Sequence, residues 1–152
     1  MYQSTDLTEI EFCDYVNQLV GDLFQVYQVS PQTVALNINA EGVSLGIDTL
    51  IPCGLIINEL VSNALKHGLP AGAKGEICID LQRSDGGLFM LSVRDNGVGL
   101  PEDFDLQRTR TLGLKLVSDL ARQIDGTIEF ERNGGTAVKI TFAEPLYSER
   151  IL

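Results

Sequence analysis

The sequence predicts an α+β fold: a two-layer α/β sandwich in which helices cover one face of a mixed, mainly antiparallel sheet. Three observations carry this. Apolar and polar residues alternate on either side of the glycine-rich turns SDGG and NGG, the pattern of two β-hairpins. Three other segments place apolar residues at helical spacing. Hairpin neighbours run in opposite directions, so helices interleaved with hairpins exclude an all-parallel sheet. The second face of the sheet is left to solvent or to a partner.

In chain order, residues 8–28 form the first helix, with Phe12, Val16, Leu19, Val20, Leu23 and Tyr27 along one stripe and Pro31 beyond its end. Val34, Leu36 and Ile38 alternate with polar or small residues, and Val43, Leu45 and Ile47 do so again after Glu41-Gly42: two short strands joined by a turn. Asp48 stands where an N-cap is expected, Pro52 falls in the first turn, and the run from Leu50 to His67 closes at Gly68. After the loop LPAGAKG, the first hairpin pairs Ile77, Ile79 and Leu81 with Leu88 to Arg94. Asp95 to Thr111 is too long and polar for a tight connection and reads as a functional lid. Leu112 to Ile124 is the third helix, carrying Leu116, Val117, Leu120 and Ala121, with Gly126 placed to end it. The second hairpin, TIEFER and TAVKITF, comes next, and residues 143–152 form a tail without a pattern.

The 152 residues, 44% hydrophobic and 21% charged, suit one domain with a core of its own. A formal charge of −10 opposes the phosphate backbone of a nucleic acid, so no nucleic-acid partner is expected. No run reaches the roughly 18 to 20 apolar residues that span a bilayer, and the first residues lack a signal pattern, so no membrane contact and a cytoplasmic location are expected. Cys13, Cys53 and Cys78, odd in number and without metal-ligand spacing, are expected to be reduced packing residues.

Three places could carry chemistry. Glu59, Asn63 and His67 recur at i, i+4 and i+8 on the second helix with Ser62 and Lys66 beside them, opposite an apolar face of Ile57, Leu60, Val61, Ala64 and Leu65. Such a stripe is either a solvated helix face or the start of a metal-phosphate site, since an amide oxygen is a suitable hard ligand for Mg²⁺ and Glu59 is placed to orient a metal-bound water. Asp95-Asn96-Gly97-Val98-Gly99 ends a strand: either a plain turn, or a carboxylate able to accept from an exocyclic amine, with Gly97 and Gly99 admitting a close neighbour. Thr111-Leu112-Gly113-Leu114 opens the third helix, either as an ordinary N-cap or as an anion site where Gly113 lets a phosphate approach the backbone. Thr136, opening the last strand, is by itself an ordinary strand former.

Taken in order, NELVSNALKH (58–67), DNGVG (95–99), TLGLKLV (111–117) and GGTAVKITF (134–142) resemble the ATP-binding boxes of the histidine-kinase, gyrase, heat-shock chaperone and mismatch-repair ATPase superfamily. Within it the sequence is most similar to sensor histidine kinases of the HWE-related class. The resemblance implies the GHKL (Bergerat-type) ATP-binding fold and a two-component kinase with ATP and Mg²⁺ as cofactors. It implies Asn63 as the Mg²⁺ ligand, Glu59 as the acidic catalytic residue, and Lys66 and His67 as phosphate contacts. It further implies Asp95 on the adenine amine, Gly97 and Gly99 beside the nucleotide, residues 101–111 as the lid, Leu112, Gly113 and Leu114 around the phosphates, and Thr136 near the adenine. A single glycine in the TLGLKLV box departs from the commoner GxG pattern, so Arg108 or Arg110 is expected to assist the γ-phosphate.

The same resemblance divides the chain into 1–30, the end of a dimerisation and phosphoacceptor region, 31–142, the ATP-binding domain, and 143–152, the tail. His67 is the only histidine and lies within an ATP box, so the expected reaction is transfer of the γ-phosphoryl of Mg-ATP to a histidine on a separate domain of the parent kinase, with a response regulator downstream. The stripe on residues 8–28 either pairs two copies in a homodimer or packs on the chain's own sheet. Competing readings are a GHKL-type ATPase, an anti-sigma-like serine kinase, and a degenerate partner-docking module that binds no nucleotide.

Overall fold

The computed structural model describes residues 9–40, 42–68, 75–84, 86–96, 112–132 and 135–143. A short strand β1 (Glu9–Glu11) leads directly into helix α1 (Phe12–Val26). Then come β2 (Val34–Asn39), β3 (Ser44–Gly46), α2 (Ile47–Asn63) with a π-helical turn at Ala64–Gly68, β4 (Gly75–Arg83) and β5 (Leu88–Asp95). Helix α3 (Leu112–Gln123) and the pair β6 (Thr127–Arg132) and β7 (Thr136–Ala143) complete the fold.

Five strands form the main sheet in the order β2-β4-β5-β7-β6, with β2 parallel to β4 and the other neighbours antiparallel. Both expected hairpins are present, and the sheet is mixed and mainly antiparallel as the pattern implied. Inward side chains follow the period of two: Ile77, Ile79 and Leu81 on β4, Phe89, Leu91 and Val93 on β5, and Val138, Ile140 and Phe142 on β7 are all buried. Phe89 and Phe142, direct partners across β5 and β7, stack with ring centroids 5.5 Å apart.

Helices α1, α2 and α3 close this apolar face. Phe12, Val16, Val20 and Phe24 of α1 join Leu50, Cys53, Ile56, Ile57, Leu60 and Val61 of α2 and Val117, Leu120 and Ala121 of α3 in one core. The stripe of α1 is thus turned into the chain's own core, one of the two arrangements its sequence allowed. Leu116, expected on the inner stripe of α3, stands 38% exposed instead, and the buried seam runs through Val117, Leu120 and Ala121. Among the described residues no cysteine is joined in a disulfide; Cys53 is buried and Cys13 and Cys78 are half-buried.

Four local expectations are corrected. Glu9–Glu11 is strand rather than helix, because it pairs with β3, and Glu11 instead caps α1 by accepting from the Asp14 backbone N–H at 3.3 Å. The segments expected as neighbours around Gly42 join different sheets: β2 lies against β4, and β3 against β1. Helix α2 starts at Ile47 with Gly46 as its N-cap, so Asp48 lies in the first turn and Pro52 inside the helix. After α3, it is Asp125 that adopts the left-handed conformation (φ 54°), while Gly126 serves close packing: a Cβ there would meet the Thr141 carbonyl oxygen at 3.0 Å.

Candidate active site

Helix α2 supplies the first half of the site. Its burial of Ile56, Ile57, Leu60 and Val61 turns Glu59 and Asn63 to the half-buried side, one helical turn apart. Ser62, expected beside that polar stripe, is only 7% exposed and belongs to the buried side. Beyond Asn63 the helix changes to the π-turn Ala64–Gly68, which takes more residues per turn and rotates its side chains out of the α-helical register. The side chain of His67, expected at i+8 from Glu59, lies outside the described residues. Lys66 is exposed, with its Nζ 5.8 Å from the centroid of the Tyr27 ring at the end of α1.

The second half is the end of β5. Asp95 alternates with the buried Leu91 and Val93, so it lies on the helix-covered side of the sheet, where α2 packs against β5 and α3 packs along α2. Its register partners are Ile77 on β4 and Thr136 on β7. Thr136, two residues before the buried Val138, lies on the same side, so the two residues named for the adenine in distant parts of the sequence are cross-strand neighbours, whose Cβ atoms in such pairs are about 5 Å apart. The sheet brings Asp95 and Thr136 together; the helix brings Glu59 and Asn63 together.

Two residues that lie within the sequence boxes but were assigned no role there hold the Asp95 backbone. Asn96 continues the ladder for one residue: its N–H donates to the Glu76 carbonyl oxygen at 3.2 Å, and its side-chain Oδ1 accepts from the Glu76 N–H at 2.8 Å. On the other side Gly135 is buried at φ 141°, and a Cβ there would collide with the Asp95 carbonyl oxygen. For Asn96 the signal was present, since an asparagine in a DNG turn commonly bonds nearby backbone. For Gly135 it was not, because its contact lies 40 residues away in sequence.

A pocket of about 110 Å³ opens beside these strand ends, lined by Glu76, Cys78, Arg94 and Ala137 together with Asp95, Asn96 and Thr136. It is smaller than the roughly 300 Å³ from which small-molecule sites begin, so it does not by itself enclose a nucleotide. Among the described residues no three of His, Cys, Asp and Glu gather as a metal cage. The donors on α2, one amide and a carboxylate a turn away, suit a cation that takes few protein oxygens and completes its shell with water and phosphate, as Mg²⁺ does. Gly97, Gly99, the 101–111 lid, Arg108, Arg110 and Thr111 lie outside the described residues, and Leu112, Gly113 and Leu114 are described only as the opening backbone of α3.

Known proteins share the family and the fold of this chain. The sequence profile of a family described as histidine kinase-, DNA gyrase B-, and HSP90-like ATPase matches residues 50–146, more than half of the chain. Blue-light-activated histidine kinase 2 of Erythrobacter litoralis is 28% identical over 119 residues, 78% of this chain and 34% of that protein. Sensor histidine kinase PdtaS of Mycobacterium tuberculosis is 39% identical over 88 residues, 55% of this chain and 17% of that protein. The chain thus spans about a third or less of the length of these relatives. Among solved structures, the histidine kinase domain of the Erythrobacter litoralis EL346 blue-light activated kinase superposes with a TM-score of 0.77 at 24% identity, covering 88% of this chain and 61% of that one. Mycobacterial sensor histidine kinase MprB gives 0.69 at 17% identity, covering 91% and 98%. The chain belongs to the histidine kinase-, DNA gyrase B-, and HSP90-like ATPase family, with the fold of the catalytic ATP-binding domains of sensor histidine kinases.

Proposed function

We propose that this chain is the ATP-binding catalytic domain of a two-component sensor histidine kinase, and that it presents the γ-phosphoryl of Mg-ATP to a histidine on a separate helical domain of the parent kinase. The observation that carries this is the pairing of Asp95 with Thr136 on the helix-covered side of the sheet, under the helix that bears Glu59 and Asn63. Family membership supports nucleotide binding; the kinase relatives support the acceptor.

In this reading the Asp95 carboxylate accepts from the exocyclic amine of adenine, and Thr136 flanks the base. Gly97 and Gly99 leave room for the nucleotide, and Leu112, Gly113 and Leu114 at the start of α3 receive the phosphates, where free N–H groups and the helix dipole favour anions. Lys66 and His67, at the end of α2, contact phosphate in the bound state; Lys66 would leave the Tyr27 ring to do so. Asn63 would hold Mg²⁺, and Glu59, one helical turn away, would orient water beside it. When bound, the cation neutralises charge that develops on the transferring phosphoryl group. The acceptor imidazole forms a bond to the γ-phosphorus as the bond to the bridging oxygen breaks, and ADP leaves. The protein contributes alignment and electrostatic stabilisation.

The parent kinase would lie in the cytoplasm with its response regulator; among the described residues no helix is long and apolar enough to cross a membrane. A homodimer through residues 8–28 would have to use the outer side of α1, because Phe12, Val16, Val20 and Phe24 are already buried within one chain. Thermal unfolding with ATP, with and without Mg²⁺, tests the reading. Nucleotide at 100 times its dissociation constant should stabilise the protein by about 2.7 kcal/mol, and Asp95→Asn should remove that gain. Mixing the chain with the histidine-bearing domain of a related kinase should then yield acid-labile phosphate. Acid-stable phosphate would assign a serine acceptor, release of inorganic phosphate without transfer an ATPase, and absence of any nucleotide effect a docking module.

A further inference from the structure

To read a single amine, Asp95 must be held accurately at the very end of its strand. We infer that Gly135 and Asn96 form a backbone clamp that positions Asp95, and that this clamp sets the preference for adenine over bases lacking the amine. The inference rests on the assignment of Asp95 to the adenine amine.

A strand that leaves its sheet loses its ladder partners and frays, and Asp95 is the last residue of β5. Two features oppose fraying there, one on each side. Towards β4, Asn96 makes two hydrogen bonds to the same residue, Glu76, one through its backbone and one through its side chain, so the ladder ends one residue beyond Asp95 rather than at it. Towards β7, the Gly135 backbone lies directly against the Asp95 peptide: a Cβ would fall 2.9 Å from both the Asp95 carbonyl carbon and the Asn96 Cα, as well as overlapping the Asp95 carbonyl oxygen. Backbone carbon and oxygen atoms cannot swing aside as the tip of a long side chain can. A residue larger than glycine at 135 must push the Asp95 peptide away, and its φ of 141° is itself strained for any side chain.

Displacing that peptide moves the carboxylate it carries. Hydrogen bonds weaken steeply with misalignment, so the amine contact is lost before the rest of the nucleotide site is disturbed. Neither residue touches the nucleotide in this arrangement; both act through Asp95 and are positioning residues.

Gly126 provides the control. A Cβ there also meets backbone, the Thr141 and Ala121 carbonyl oxygens at 3.0 and 3.2 Å, but at the far end of β7 from Asp95. Dissociation constants of ATP and of purine riboside triphosphate, which carries hydrogen in place of the amine, are to be measured on the full chain. Wild type should prefer ATP by about tenfold, the worth of one hydrogen bond to a charged group. Gly135→Ala and Asn96→Ala should each weaken ATP to the level of the purine nucleotide while leaving the latter nearly unchanged; Gly126→Ala should lower the melting temperature and keep the preference. Equal losses for both nucleotides, or a preference retained in either clamp variant, overturns the inference. If Gly135→Ala does not fold, Asn96→Ala, at an exposed site, decides alone. A wild type without preference for ATP would instead remove the adenine assignment of Asp95, a different failure from that of the clamp.

Discussion

The two faces of β5 are built on opposite rules. Inward, Phe89, Leu91 and Val93 are almost wholly buried beneath the helices and lead to Asp95 at the strand end. Outward, Met90, Ser92, Arg94 and Asn96 stand on a face that no helix covers among the described residues, and there the partners are polar. Asp80 on β4 accepts from the Asn39 side chain on β2 at 2.8 Å and stands 3.9 Å from the Arg94 guanidinium on β5, so one carboxylate ties its own strand to both neighbours. Asn37 donates to Glu76 at 2.6 Å one row further along. The covered face supplies the free energy of folding through apolar burial, whereas the open face supplies register at small net gain, because its bonds replace bonds to water.

The largest effect should come from breaking the covered face. Leu91 is fully buried, paired with Leu81 on one side and Ile140 on the other, so Leu91→Ala should cost about 2 to 5 kcal/mol in denaturant unfolding with an unchanged slope. A cost below about 1 kcal/mol would mean that the sheet and helices repack freely around the gap. The same substitution should lower nucleotide affinity only modestly, because Leu91 is four residues from Asp95.

The contrast between faces was legible in the sequence, since a period of two in β4, β5 and β7 separates inner from outer residues without reference to neighbours. Both hairpins were legible for the same reason, as their turns lie beside their strands. What was not legible is long-range. β2 pairs in parallel with β4, 41 residues later, and nothing local to VALNIN states which strand it will join. β1 falls within the span expected as the first helix and becomes strand only because β3 is there to pair with it. The π-turn after Asn63 was hidden because its residues fit an α-helix equally well on paper. In the site, the boxes around Asn63 and Asp95 stood out by residue type, whereas the pairing of Asp95 with Thr136 and the pressure of Gly135 on the Asp95 peptide are facts of register.

An intermediate effect is expected where the open face ties the edge strand to the sheet. Asn39→Ala removes the 2.8 Å bond to Asp80 but leaves the carboxylate accessible to water, so the cost should be about 1 kcal/mol or less. Hydrogen exchange sharpens the comparison: amides of β2 should lose protection while those of β5 and β7 keep theirs. Equal loss across all strands would mean that β2 opens only with the whole domain.

The smallest effect should be that of Arg94. Its side chain is 55% exposed and its closest approach to Asp80 is 3.9 Å, the geometry of a surface ion pair rather than a bidentate fork. Such pairs contribute under about 1 kcal/mol and are weakened by salt, so Arg94→Gln should shift the unfolding midpoint slightly at low ionic strength and not at all near 1 M salt, where the screening length is about 3 Å. Asp80 is only 19% exposed and also holds Asn39, so its replacement should cost more than that of Arg94. Arg94→Gln combined with Asn39→Ala completes the measurement. If both residues matter only by tethering the same carboxylate, the double variant should lose more than the sum of the single losses, because Asp80 then stands half-buried with neither partner. Strict additivity would show that the two contacts are independent and that the open face is a set of separate pairs, unlike the single packed unit on the other side of the strand.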